Sequence, residues 1–174
     1  ALQALVDTYK SVRLPSNLTI RLTGSVSIDP NKCKMFDGGN STFIIDGDFS
    51  AFSIAGSLTS SMTANPGTLS AKIKESEAEF KIINCKIRSS GGSSGTGVSL
   101  SGVFKAVVAG CYLHELKNGI SIANQCRDIL IAENSIYGCA SYGIYVQSTT
   151  NLHQFNVVGN FISYCYYCIY LYQP

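Results

Sequence analysis

Apolar residues along this chain fall into short runs of period two, rich in Val, Ile and Phe and divided by Gly, Asn and Ser, and two of these runs recur. The first reads Ile82-Ile83-Asn84-Cys85-Lys86-Ile87, then Val108-Ala109-Gly110-Cys111-Tyr112-Leu113, Ile131-Ala132-Glu133-Asn134-Ser135-Ile136 and Val157-Val158-Gly159-Asn160-Phe161-Ile162. Weaker copies precede it at Leu22-Thr23-Gly24-Ser25-Val26 and Ile45-Asp46-Gly47-Asp48-Phe49. From Gly24 through Gly47, Cys85, Cys111 and Asn134 to Asn160 the steps are 23, 38, 26, 23 and 26 residues. The second run is Gly97-Val98-Ser99-Leu100, Gly119-Ile120-Ser121-Ile122, Gly143-Ile144-Tyr145-Val146 and Cys168-Ile169-Tyr170-Leu171, at steps of 22, 24 and 25.

Short alternating segments between turn residues are strands. A period of 22 to 26 residues built only of strands and turns is one coil of a right-handed parallel β-helix, in which each strand stacks on its equivalent one coil earlier. A leucine-rich repeat is excluded by the lack of Leu-x-x-Leu-x-Leu spacing and of helical segments. The predicted fold is all-β: a right-handed parallel β-helix of about six coils, with a short N-terminal capping helix and an inserted loop or hairpin, forming one domain over residues 1–174. Residues 1–14 form the entry cap, a helix from Ala1 to Val6 followed by a first strand at Val12-Arg13-Leu14-Pro15. Such a cap covers the open end of a solenoid, whose bare edges invite aggregation. The 38-residue step places the insertion at about 57–75, around the Asn65-Pro66-Gly67 turn. Residues Ser89 to Thr96 form a second, Ser/Gly-rich loop at a coil corner.

Stacking sets equivalent residues about 4.8 Å apart, so the columns become ladders. Asn134 over Asn160 is expected to bond amide to amide, and Cys85 over Cys111 and Cys139 over Cys165 are expected as buried thiols. The chain has seven cysteines. Their odd number and their spacing fit neither a zinc site nor a disulfide framework, and point to free thiols kept in a reducing compartment.

Charge changes the picture more than composition does. Thirteen Lys+Arg against 11 Asp+Glu, a net charge of +2, give no basic stripe for nucleic acid. A 45% hydrophobic content excludes disorder. No apolar stretch approaches the roughly 20 residues that span a bilayer, so membrane insertion is not expected. From Asn134 to Pro174 there is no Asp, Glu, Lys or Arg, while nine of the ten tyrosines lie from Tyr112 onward. On this reading the charge sits on the first four coils and none on the last two. Tyr145 and Tyr170 are expected to point outward on neighbouring coils, with Tyr112, Tyr137 and Phe161 adding to one aromatic surface. Uncharged aromatic surface suits a subunit interface first and glycan contact second. A third reading has the core continuing into a longer chain, since the sequence begins within a helix and ends just after an inward-facing strand.

The Ala-Leu-Gln-Ala-Leu start, the Val-Arg-Leu-Pro strand, Phe43-Ile44-Ile45-Asp46-Gly47, and the repeated Gly-Ile-x-φ followed by φ-x-x-Asn-x-Ile (φ, an apolar residue) resemble the pectin-lyase-like family. Within it, they resemble the tailspikes and receptor-binding fibres of bacteriophages. The resemblance spans nearly the whole chain and implies a fold rather than an activity, because the family includes polysaccharide lyases, glycoside hydrolases, uronate epimerases and non-catalytic attachment proteins. The epimerase-type Asp-Pro-His signature is absent, as is the carboxylate cluster with a nearby Arg that lyase-type calcium chemistry needs. No metal or other cofactor is therefore expected.

Two carboxylates at glycosidase spacing would make an enzyme. The candidates are Asp46 and Asp48, two apart at a strand end, and Glu115 and Glu133 on successive coils. Glu75, Glu77 and Glu79 read as the solvated face of a strand. The resulting expectation is a segment that recognises bacterial surface polysaccharide as a parallel homotrimer, located in a virion tail assembled in the host cytoplasm. The alternatives are a secreted or cell-surface bacterial location, a polysaccharide hydrolase or lyase of the same fold, and a purely structural stalk.

Overall fold

A computed structural model describes residues 1–58, 80–147 and 153–172. Among these described residues, helix α1 (Leu2–Thr8) is followed by sixteen strands, all paired in parallel. The strands wind around three faces. The first face carries β1 (Ser11–Arg13), the leading halves of β4 (Met35–Ile45) and β6 (Phe80–Ser89), β8 (Ala106–Ala109), β11 (Arg127–Ala132) and β14 (His153–Val158). The second carries β2 (Thr19–Leu22), the trailing halves of β4 and β6, β9 (Tyr112–His114), β12 (Ser135–Tyr137) and β15 (Phe161–Ser163). The third is a separate six-stranded sheet of β3 (Val26–Ile28), β5 (Ser50–Ala55), β7 (Thr96–Ser101), β10 (Asn118–Ala123), β13 (Tyr142–Gln147) and β16 (Tyr167–Tyr172). Six rungs of three strands result, with about five full turns between first and last.

Inward columns fill the coil. Ile82, Val108, Ile131 and Val157 stack on the first face, Ile87, Leu113, Ile136 and Ile162 on the second, and Val98, Ile120, Ile144 and Ile169 on the third. In the second rung Phe36, Phe43 and Phe52 replace aliphatics, their ring centroids 4.8–6.0 Å apart. Helix α1 buries Val6 and packs against β1 and β3, closing the first rung. Ile169 continues the inward column, yet it is 46% exposed on the last rung.

The corner between first and second faces turns on a residue of positive φ. Asn84 (55°), Gly110 (61°), Glu133 (55°) and Gly159 (66°) hold it in successive rungs. The residue that follows points inward: Cys85, Cys111, Asn134 and Asn160, joined by the ladder contacts the spacing predicts. The Asn134 amide donates to Asn160 Oδ1 at 2.9 Å, while the buried Cys85 and Cys111 thiols donate to the carbonyls of Ile83 and Ala109 at 3.3 and 3.4 Å. At the next corner Cys139 is buried and Cys165 half-buried, the Cys165 thiol donating to Ser163 O at 3.4 Å.

The early copies of this column are not Gly24 and Gly47. Ser41 pairs with Cys85, so the step across the insertion is 44 residues (85 − 41) instead of 38. Gly24 and Gly47 belong to the second corner, between β2 and β3 and between β4 and β5. Both corners read as apolar-x-small in sequence, and only pairing separates them. The second rung also carries a bulge, Gly38-Gly39-Asn40, where the third rung has Asn84 alone. Of the insertion expected at about 57–75, Leu58 returns to the stack by donating its N–H to Gly102 O at 3.0 Å. The remainder, with Glu75, Glu77 and Glu79, lies outside the described residues.

Charge does not stop after the fourth rung. Arg127, Asp128 and Glu133 lie on the leading strand and first corner of the fifth, so the charge-free region begins midway through that coil.

Candidate functional site

Three of the four candidate carboxylates are engaged by partners of their own. Asp46, at the second corner of the second rung, accepts two bonds from Arg21 Nη1, at 2.9 and 3.1 Å, one coil below. The Ser90 hydroxyl, followed by that guanidinium, lowers its pKa. Asp48 turns the other way, accepting the Gly95 N–H at 3.1 Å and lying 3.6 Å from Lys117 Nζ. Glu115 sits at the second corner with φ 54°, 3.6 Å from His114 Nδ1. Burial lowers the His114 pKa, with Glu115 opposing that shift and Arg88 adding to it. Glu133 occupies the first corner. No described hydrogen bond or ion pair joins any two of the four.

Two other groups of carboxylates were not singled out by the spacing. Asp37 is 4% exposed behind the Gly38-Gly39 bulge. It accepts from Arg13 Nε at 2.8 Å, Gly39 N–H at 3.0 Å and Asn84 Nδ2 at 3.1 Å. Burial works against its ionisation, but these three donors outweigh it and hold the pKa below the usual carboxylate value. Asp7 and Asp29 line a 340 Å³ hollow with Gln3, Ser27 and Ser53. Their oxygens are engaged locally, Asp7 with Gln3 Nε2 and Asp29 with Asn31 N–H. Among the described residues no group of three or more His, Cys, Asp or Glu converges to hold a metal.

The aromatic candidates do not form one surface. Tyr112, Tyr137 and Phe161 project from the second face, where Tyr112 and Phe161 share a column through Ser135. Tyr145 and Tyr170 lie in register on the third face, as their alternation predicts. A one-surface reading needs these strands to share a sheet, and the corner at Gly138–Ser141 turns the chain between them.

On the third face the structure adds two members. Tyr142 and Tyr167 also lie in register, one residue before the glycine column. Tyr142 stacks on Tyr145 at 4.6 Å with planes 14° apart and on Tyr170 at 5.0 Å and 22°, while Tyr167 lies 5.1 Å from Tyr170. Burial in this slab, helped by Tyr142, Tyr170 and Tyr172, raises the Tyr145 phenol pKa. The slab forms because each of the last four rungs presents its first and fourth strand residues outward, with a glycine (Cys168 in the last rung) and an inward Val or Ile between them. The glycines are required: a Cβ on Gly119 would lie 2.5 Å from Gly143 O, and one on Gly143 2.5 Å from Cys168 O.

Below the tyrosines the same columns carry small residues. Ser53, Ser99 and Ser121 precede Tyr145 and Tyr170, and Ser50, Thr96 and Asn118 precede Tyr142 and Tyr167. The face is therefore a low floor of hydroxyls ending in a wall of stacked rings.

A family model described as a right handed beta helix region matches residues 19–173. The chain belongs to the right-handed β-helix family. This family match covers every rung from β2 onward, and it makes the three-faced coil a fold compatible with polysaccharide-binding or structural roles. Neither the curated proteins nor the solved structures contain a match to the chain. Among the described residues no helix of this β-helix is long and apolar enough to cross a membrane.

Proposed function

We propose that this chain recognises polysaccharide through its third face, as a non-enzymatic segment of a phage-type spike that attaches to bacterial surface glycan. The observation that carries the reading is the four-tyrosine slab of Tyr142, Tyr145, Tyr167 and Tyr170 at the end of a hydroxyl floor. Stacked rings with polar tips offer apolar area to the C–H face of a sugar while their hydroxyls meet its rim. The scattered carboxylates, three of them engaged with different partners and none with another carboxylate of the four, favour binding over cleavage.

Binding to a panel of bacterial capsular and lipopolysaccharide glycans tests the reading. Substituting Tyr145→Ala and Tyr170→Ala together is expected to weaken binding about tenfold, the equivalent of roughly 1.4 kcal/mol. A folded protein that binds nothing in the panel, or a double variant that binds as well as the parent, would overturn it.

The same reading includes a parallel homotrimer. The first face supports it, because outward positions Ile83, Val107, Ala109, Leu130, Ala132 and Val158 form an apolar strip next to the floor of the coil. Sedimentation at micromolar concentration should give three copies, and Val107→Asp should give one. A parent protein that sediments as a monomer removes the trimer.

A further inference from the structure

We propose that the second face of the coil carries a binding site of its own for a carboxylate-bearing sugar, in which Lys86 and Arg88 meet the carboxylate and the rings of Tyr112 and His114 meet the sugar ring. The site is separate from the third-face slab, which lies beyond the second corner. Lys86 and Arg88 flank Ile87 on β6, and because Ile87 is fully buried both project outward, half-buried. Strand alternation sets them about 6.6 Å apart on one side of the sheet. Pairing with the next coil puts Tyr112 beside Lys86 and His114 beside Arg88, and the two rings lie 4.8 Å apart. One rung further, Tyr137 continues the column of Arg88 and His114, and its ring lies 5.1 Å from that of Tyr164. A pair of cations is thus followed along the coil axis by two pairs of rings, at about 4.8 Å per rung.

Charge decides what this surface accepts. The outward columns of the second face hold Arg21, Lys86 and Arg88 and no carboxylate. Arg21 is taken up by Asp46. Among the described residues no hydrogen bond or ion pair holds the side chain of Lys86 or Arg88. Glu115 sits at the corner and faces His114 Nδ1 at 3.6 Å. Burial lowers the His114 pKa, Glu115 opposes that shift and Arg88 adds to it, so the imidazole is neutral near pH 7 and offers an aromatic face beside Tyr112. A guanidinium presents a fork that fits a carboxylate with two bonds, and an ammonium adds a point charge. Tyr112 keeps 42% of its surface open and Tyr137 41%, which leaves ring area for the C–H face of a pyranose. A sugar lying on Tyr112 and His114 therefore brings an acid group on its rim to Arg88 and Lys86. Nucleic acid, with a phosphate on every nucleotide, asks for a basic stripe. Thr42 and Ile44 below the two cations, and Ser135 and Phe161 above Tyr112, carry no charge.

The experiment titrates the whole chain by calorimetry with oligosaccharides of alginate and of hyaluronan, with carboxyl-reduced hyaluronan, and with single-stranded DNA. The expected result is binding of an acidic oligosaccharide that salt weakens, that carboxyl reduction abolishes, and that Lys86→Gln with Arg88→Gln weakens about tenfold. The melting temperature of that double variant should match the parent, because no other described group holds either side chain. His114 is one of two histidines in the chain, and its ring resonances should move on binding. Acidic binding that is lost with Tyr145→Ala and Tyr170→Ala but kept in the Lys86 and Arg88 double variant overturns the second-face site and leaves the third-face reading standing. Equal binding of the carboxyl-reduced polymer, or tighter binding of DNA than of either acidic oligosaccharide, overturns recognition of a sugar carboxylate. Absence of binding to both acidic oligosaccharides overturns the site, while the third-face reading is judged by its own glycan panel.

Discussion

The side-chain oxygen of Asn160 accepts both the backbone N–H and the side-chain amide of Asn134, each at 2.9 Å, across one coil step. Asn134 in turn accepts the Cys111 N–H at 3.0 Å and donates to Val108 O at 2.9 Å. One buried amide therefore ties three rungs together at a corner where the strand ladders are interrupted.

Asn134→Ala is expected to destabilise the fold by about 3 kcal/mol, since it leaves buried backbone groups of two neighbouring residues unsatisfied. Asn160→Ala, on the last rung and half-buried, should cost about 1 kcal/mol. Urea unfolding monitored by circular dichroism measures both. Equal losses would show that the corner is not graded along the stack.

Asp37 predicts a pH dependence. Its folded pKa lies below the unfolded one because the Gly39 N–H, Asn84 and Arg13 together outweigh burial. The stabilisation is thus present above the unfolded value, about 3.9, and is lost as pH falls through the folded value. Asp37→Ala should cost about 2 kcal/mol near neutrality and little in strong acid. Stability curves of parent and variant that stay parallel down to low pH would contradict this.

Gly119→Ala isolates a steric requirement. Its added Cβ would lie 2.5 Å from Gly143 O and 2.7 Å from Ile136 Cγ2, so the adjacent coil must move. A loss of about 2 kcal/mol is expected from overpacking. Gly110→Asn, at φ 61°, where Asn is tolerated, should cost under about 1 kcal/mol. Thermal melts of the two variants rank them.

The thiols should react in order of exposure. Cys168 is exposed and Cys165 half-buried, whereas Cys33, Cys85, Cys111, Cys126 and Cys139 are buried. Burial raises the Cys126 pKa to about 11 and raises that of Cys139 further. Iodoacetamide labelling of native protein, followed by mass spectrometry, should modify Cys168 first and leave the five buried thiols intact until denaturant is added. Early labelling of Cys126 or Cys139 would contradict the stacked core.

Several of these features were legible before the structure. Cys85, Cys111, Asn134 and Asn160 lie in one column because their spacing is one coil, and Tyr145 and Tyr170 point outward because they alternate with inward Ile and Val or Leu. Other features were not. Glu115, Glu133 and Tyr164 hold positive φ, a conformation that nothing in those residue types announces. Asp37 reads as one more polar residue beside two glycines, since the bulge that buries it exists only once β4 is paired with β6.

The sequence by itself determined the coil, its period and its inward ladders, because these depend on intervals along one chain that stacking converts directly into contacts. Only the tertiary structure decided which corner each turn occupies and which aromatics share a face. It separated Tyr112, Tyr137 and Phe161 from Tyr145 and Tyr170, joined Tyr142 and Tyr167 to the latter, and set Asn118 at their foot. The physical reason is that a face is defined by where the chain bends. Two bends per coil, built from similar small residues, look alike until hydrogen bonding to the neighbouring coil sets their register.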